Sequence, residues 1–458
     1  MAVEHEADIS DRISSHIADL SFCDLPPATI AASRHVLLDA VGVMLAASGM
    51  AREIAPFIDL AQMGGAGPSA ILGTGARVSP ASAALANGAM AHALDFEDTF
   101  DLAPGHPNAS LVPALIALAQ SHGPISGQDF LTALAAGGDL ACRLALALDR
   151  PMEEGNWYPP PIIGGFGAAA GAGRLLALPA GGIRDCLSLA LCQVTMPGEI
   201  KYSRGTVLRA VRESFPAQSA VQSALLAFAG TPGFETPIEG QGGFYALYAM
   251  GQFDADRLLN GLGEKFWTEE LTFKAWPSCR GTHPFIEAAL RLRNAGLAAG
   301  DIARVELAID PVQLMLVKPT ARKQSPAVVI DAKFSIPFCT ALALVRGQVT
   351  LDDFSDSSLV DREVRELAAR MTYRVSPEAG WARGAGGAVT VTRNDGSVVR
   401  EEIAQAYGAP SAPMNENDLY AKFVDCARRA ARPSLEPERV ADAILRLETC
   451  DDVGGIFR

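Results

Sequence analysis

Within AHALDFEDTFDLAPGHPNAS, residues 91–110, the chain places Asp95, Glu97, Asp98, Asp101 and His106 between two runs of alanine and leucine. Charge beside core-forming sequence is costly to bury unless it is paired. The pattern reads either as a solvated helix junction or as a site. The alanine-rich run ends near Asp95, Pro104-Gly105 marks a turn, and His106-Pro107 leads into the next run. Asp95, Thr99 and His106 then share one loop, where a carboxylate and an imidazole could serve as acid, base or orienting group.

Three further stretches carry reactive or cationic side chains. KYSRGTVLRAVRESFPAQ, residues 201–218, holds Lys201, Arg204, Arg209 and Arg212 in an otherwise acidic protein. Guanidinium groups match carboxylates bidentately; the alternative is a solvated basic helix face. FKAWPSCRGTHPFIEAAL, residues 273–290, gathers Lys274, Cys279, Arg280 and His283 just before a helical run, whose first N–H groups favour anions. Desolvation would make Lys274 a base. Cys279 and His283 at i, i+4 are two ligand types, short of the three or four a zinc site requires, so no metal is expected. A Cys–His nucleophile would need an ordering third group, and none is evident. In NWYPPPIIGG, Tyr158 precedes three prolines. It presents its hydroxyl from a rigid elbow or packs at a helix start. The chain has no Gly-x-Gly-x-x-Gly after a strand, no phosphate-binding P-loop and no HExxH, so no nucleotide, cofactor or zinc-protease chemistry is expected.

The elements that must position these residues are mostly helices. Runs at 27–48, 79–96, 108–123, 126–148, 162–178 and 214–230 are rich in alanine and leucine, and none alternates with period two. They predict a bundle of helices, several buried on most sides. The texture changes near residue 268. ARVELAIDPV and AVTVTRNDGSVVREEI read as strands, the second folded at Asn394-Asp395-Gly396, because Asp-Gly supplies the positive φ of tight hairpin turns. The tail turns helical again. The expectation is a mainly α protein with an α+β part: a large all-helical domain over residues 1–267, a smaller α+β domain over 268–405, and C-terminal helices over 406–458 that rejoin the first domain.

The 458 residues are 49% hydrophobic and 20% charged, as in ordinary globular proteins. A net charge of −14 argues against nucleic acid and anionic membrane surfaces as partners. Eight cysteines are scattered without a CxxC pair, which suits a reducing compartment. The acidic start MAVEHEADISDR is unlike a targeting segment, and the longest apolar stretch is interrupted by Asp39. A cytoplasmic protein is expected.

Five segments, in order, resemble the MmgE/PrpD family: NGAMAHALDFEDTFDLAPGHPNASLVPALIALAQ, GFGAAAGAGRLLAL, RGTVLRAV, LTFKAWPSCRGTHPFIEAAL and DAKFSIPFCTALALVRGQVTL. The family includes 2-methylcitrate dehydratase, cis-aconitate decarboxylase and iminodisuccinate epimerase. The resemblance implies a helical domain built from both chain ends, a smaller α+β lid, a cleft between them, a homodimer, no metal, and a small di- or tricarboxylate as substrate. It places Asp95, Thr99, His106, Lys274, Cys279 and His283 at site positions. The chain departs from the family pattern where Tyr158 stands for a common histidine, Arg209 for a lysine and Phe338 for a tyrosine. The loop before His106 is also one residue longer than in the decarboxylase.

The activity implied is a cofactor-independent lyase that abstracts a proton α to a carboxylate, a hydro-lyase first. An epimerase, a decarboxylase and a non-catalytic carboxylate-binding protein are the alternatives. Catalytic roles fall to His106, Lys274, Asp95 and Tyr158. Lys274 or His106 would be the base, with the other or Tyr158 as acid, and Asp95 would orient His106. Thr99, Arg209, Arg212, Cys279, Arg280, His283 and Lys201 would hold the substrate, with the cations neutralising enolate-like charge as it forms.

Overall fold

The computed structural model describes residues 8–103, 105–203, 206–381, 383–433 and 436–457. By its internal contacts the chain divides into two units. One comprises Met1–Ala93, Leu102–Leu271 and Asn415–Arg458; the other comprises Leu94–Asp101 and Thr272–Met414.

The first unit is built on long helices, among them Pro27–Met50, Pro80–Ala93, Pro107–Ser121, Gly127–Leu146, Pro159–Leu175, Ser214–Phe228 and Glu416–Ala427. Prolines begin several of them because the first turn has no need of its N–H groups. In Pro159–Leu175 three consecutive prolines fill that turn, with Tyr158 as the residue before it. The glycines of this helix serve close approach. A Cβ on Gly167 would stand 2.4 Å from the Gly137 carbonyl oxygen of Gly127–Leu146, and one on Gly137 would stand 2.6 Å from that of Gly167. Only two bare backbones can pack this closely.

Pro27–Met50 is long and apolar enough to cross a membrane by length and composition. However, 67% of its most apolar window is buried inside the protein. Its Asp39 pairs with the buried Lys422 of the C-terminal part at 2.6 Å. These are the features of a core helix.

The unit is not all-helical. Strands β1 (Ala66–Ile71) and β2 (Ala76–Val78) form an antiparallel hairpin with an irregular register between Ala66 and Ser69. Gly67 and Pro68 lie inside β1 and disguise it, since both residues ordinarily interrupt strands.

The second unit holds a four-stranded sheet in the order β4-β3-β5-β6, with β3 Ile302–Ile309, β4 Met371–Val375, β5 Gly387–Arg393 and β6 Val398–Ile403. β3 and β4 are parallel; the other neighbours are antiparallel. The Asp395-Gly396 turn joins β5 to β6 as the sequence predicts, with Gly396 at φ +83°. β4 was not predicted, because its five residues are short and mostly solvent-facing. Helices His283–Asn294 and Ile336–Arg346 share a core with the sheet made of Phe285, Ile286, Val305, Leu307, Phe338, Leu342 and Val389. Phe338 is fully buried in that core. The segment Leu94–Asp101 is tied into this unit through Thr99, which exchanges backbone hydrogen bonds with Thr272 at 2.9 and 2.8 Å.

Candidate active site

In the sheet-containing unit the acidic segment and the 273–283 segment meet. Asp95 is buried and its backbone lies in the left-handed region at φ +50°. Aspartate is one of the few non-glycine residues that tolerates this conformation, and strained backbone of this kind concentrates at functional sites. The fold aims both Asp95 oxygens of interest at one amine. Lys274 Nζ donates to Asp95 Oδ1 at 2.5 Å and to its carbonyl oxygen at 3.1 Å. Glu97 Oε1 stands 4.0 Å from the same nitrogen. Lys274 has no exposed surface. Burial pulls its pKa down, but the charges of Asp95 and Glu97 outweigh it, and the net direction is upward.

The direction of this shift favours the ammonium form of Lys274, the acid of the two roles that the sequence left open. Asp95 Oδ1 is engaged with Lys274.

The neighbouring residues order the segment. Asp101 Oδ2 accepts from Thr272 Oγ1 at 2.9 Å and from Arg280 Nε at 3.0 Å. Arg280 also donates to the carbonyl oxygens of Tyr407 and Ala406 at 2.9 and 2.7 Å, so its guanidinium is engaged within its own unit. His283 is fully buried and its pKa lies well below the usual imidazole value, from burial first and the nearby Arg280 and Lys274 charges second. A neutral ring fits its contacts: Nε2 faces the Ser278 carbonyl at 3.2 Å and Nδ1 faces Arg280 at 3.4 Å. Both ring nitrogens of His283 thus face groups of the same segment. Cys279 is half-buried at the start of the Arg280–Thr282 turn. Thr99 is buried on its bridge to Thr272.

A second constellation lies within the helical unit. His106 is half-buried and precedes Pro107–Ser121 as its N-cap. Its ring centroid is 5.3 Å from that of the buried His92 of Pro80–Ala93. Tyr158 is buried, and its hydroxyl accepts from Arg212 at 3.0 Å. Two cations flank its ring, with Lys201 Nζ 5.2 Å and the Arg212 guanidinium carbon 5.1 Å from the centroid. Arg212, expected as a substrate cation, is buried and donates Nε to Glu213 Oε1 at 3.0 Å. Glu213 in turn accepts from Ser110 on Oε2 at 2.6 Å. Arg209 and Lys201 are half-buried, and Lys201 reaches Glu153 at 3.3 Å. Arg204 lies outside the described residues.

Sequence reasoning missed Glu213 and His92. Glu213 directly follows Arg212, and a carboxylate next to a candidate substrate cation was the available signal. His92 sits in an alanine run that offered none.

Comparison with known proteins bears on the whole chain. The model of the MmgE/PrpD N-terminal domain matches residues 11–256, and that of the C-terminal domain matches residues 276–447. A cis-aconitate decarboxylase-like protein of Aspergillus oryzae is 27% identical, over 99% of this chain and 97% of its own length. Human cis-aconitate decarboxylase is 26% identical over 82% of this chain and 78% of its own. The 2-methylcitrate dehydratase of Cupriavidus necator is 25% identical over 74% of each. With both family models matched in order along one chain, this protein is a member of the MmgE/PrpD family.

Proposed function

We propose that the protein is a lyase acting on a small tricarboxylate, with the ammonium of Lys274 as its proton donor. The observation that carries the reading is the buried Lys274–Asp95 pair, in which an acid group is held charged in a dry setting beside a strained backbone. A preorganised cation in such a place stabilises enolate-like charge strongly. The relatives named for chemistry on 2-methylcitrate and cis-aconitate supply the substrate class.

Dehydration is the first reading. A base removes the proton α to a carboxylate, its bonding pair becomes the new C=C bond, and the β-carbon–oxygen bond breaks. The hydroxyl leaves as water, with the proton that Lys274 supplies. His106 is proposed as the base on the chemistry of its imidazole, and Tyr158 with Arg212 as a polar contact. Arg209 and Lys201 are proposed for substrate carboxylates. Decarboxylation is the second reading, favoured by the near-complete span of the decarboxylase-like relative. There the carbon–carboxylate bond breaks, CO₂ leaves, and the Lys274 proton goes to the carbanion.

Proton NMR of the enzyme with 2-methylcitrate and with cis-aconitate, in deuterated buffer, separates the cases. Loss of water from 2-methylcitrate supports dehydration, and loss of CO₂ from cis-aconitate supports decarboxylation. Deuterium exchange with inversion alone, or no change in either acid, contradicts the lyase reading.

A further inference from the structure

Only seven of the 38 basic residues are lysines, yet four of these, Lys274, Lys323, Lys333 and Lys422, are buried. Lysine is almost never buried without a specific partner. Lys422 has Asp39 and Lys274 has Asp95. Lys333 is 2% exposed, closes the short helix Val329–Lys333 and opens the stretch Lys333-Phe334-Ser335. Its ammonium donates to the carbonyl oxygen of Leu94, the residue directly before Asp95. Its own carbonyl accepts from the backbone N–H of Cys279 at 3.0 Å. Lys323 braces the same stretch, donating Nζ to the Phe334 carbonyl at 2.6 Å, while Ser335 Oγ donates back to the Lys323 carbonyl. One residue thus touches both the segment that carries Asp95 and the segment that carries Lys274 and Cys279. Two buried ammonium groups hold two successive carbonyl oxygens, Lys333 on Leu94 and Lys274 on Asp95.

We propose that Lys333 is a positioning residue that keeps Asp95 in its left-handed conformation with its carboxylate on Lys274. The proposal deepens the reading of Lys274 as proton donor and rests on it for its effect on turnover. Without the Leu94 contact, the backbone directly before Asp95 loses a buried anchor, and φ +50°, tolerated by aspartate but not preferred, is held less firmly. The Lys274–Asp95 contact then loosens, and burial takes over the Lys274 equilibrium. The groups that face Lys274 electrostatically are Asp95 and Glu97 from the acidic segment and Cys279 and His283 from its own.

Deleting Lys333 has two opposed consequences. Removing a cation raises the affinity of Lys274 for its proton, whereas losing the Asp95 contact lowers it. A downward shift is therefore the signature of positioning.

With seven lysines, the ¹³Cε resonances of a lysine-labelled protein can be assigned by single substitutions, Lys274→Arg among them. Titration to alkaline pH, as far as circular dichroism reports a native fold, reads Lys274 directly. In the unmodified protein its resonance stays at the ammonium position. In Lys333→Met it moves to the amine position within that range, and kcat/KM on whichever of 2-methylcitrate and cis-aconitate is turned over falls roughly 10²-fold. Lys333→Leu, which likewise has no donor, decides the matter in the same way if Lys333→Met does not fold. A Lys274 resonance that stays at the ammonium position in the folded variant overturns the proposal. Absence of lyase turnover in the unmodified enzyme would instead defeat the functional reading and leave the titration result standing.

Discussion

Lys274 keeps its proton because two carboxylates face it in a place where water does not, and this sets the behaviour of the site residue by residue. Breaking a buried pair from one side leaves the other charge stranded. Asp95→Asn should therefore destabilise the protein by about 3 kcal/mol at neutral pH, as read by urea denaturation. Because the folded pKa of Lys274 is raised, its stabilising share is fully present below the ordinary lysine value and is lost as pH climbs through the folded value. His283 runs the other way. Its folded pKa is depressed, so the unfolded chain binds the proton more readily and stability falls as pH drops below the usual imidazole value. In that window the loss should approach about 1.4 kcal/mol per pH unit. Denaturation curves collected down through this range for the unmodified protein and for His283→Gln test it; parallel curves would show that His283 is not the source.

At the scale of elements, the long helices were legible because alanine and leucine runs leave no other periodicity, and the β5–β6 hairpin was legible because Asp-Gly has few other uses. β1 was hidden by its own Gly and Pro, and β4 by its shortness. Of the site, residue types and chain neighbourhoods were legible, but protonation was not. Nothing in the spacing of Lys274 says that Asp95 and Glu97, some 180 positions away, will surround it, and that contact raises its pKa. The sequence offered Arg280 and Arg212 as substrate cations but gave no sign that Asp101 and Glu213 pair with them. The meeting of Gly137 and Gly167 explains the glycine-rich helix and yields its own test. Gly167→Ala forces a methyl group against the Gly137 carbonyl oxygen and should cost about 1–3 kcal/mol, visible as a lowered thermal midpoint.

For the whole molecule, a net charge of −14 surrounds a chain whose proposed substrate is itself an anion, so buried and half-buried cations, not overall charge, must supply the attraction. Binding carried by a few such groups is only moderately screened, and KM for a tricarboxylate should rise with ionic strength by less than a patch of exposed lysines would give. Kinetics at low and high salt check this. The division into two units also places the acidic segment with Thr272–Met414 although the chain enters it from a helix of the other unit. Lys274 and its carboxylate partners thus belong to one folded body. The measurement closest to the central claim is turnover of 2-methylcitrate and cis-aconitate by Lys274→Met, an uncharged side chain of similar length, with circular dichroism to verify its fold. The account predicts a loss of roughly 10³-fold in kcat on the acid that the unmodified enzyme converts. A folded Lys274→Met protein that turns over this acid at the unmodified rate would contradict it.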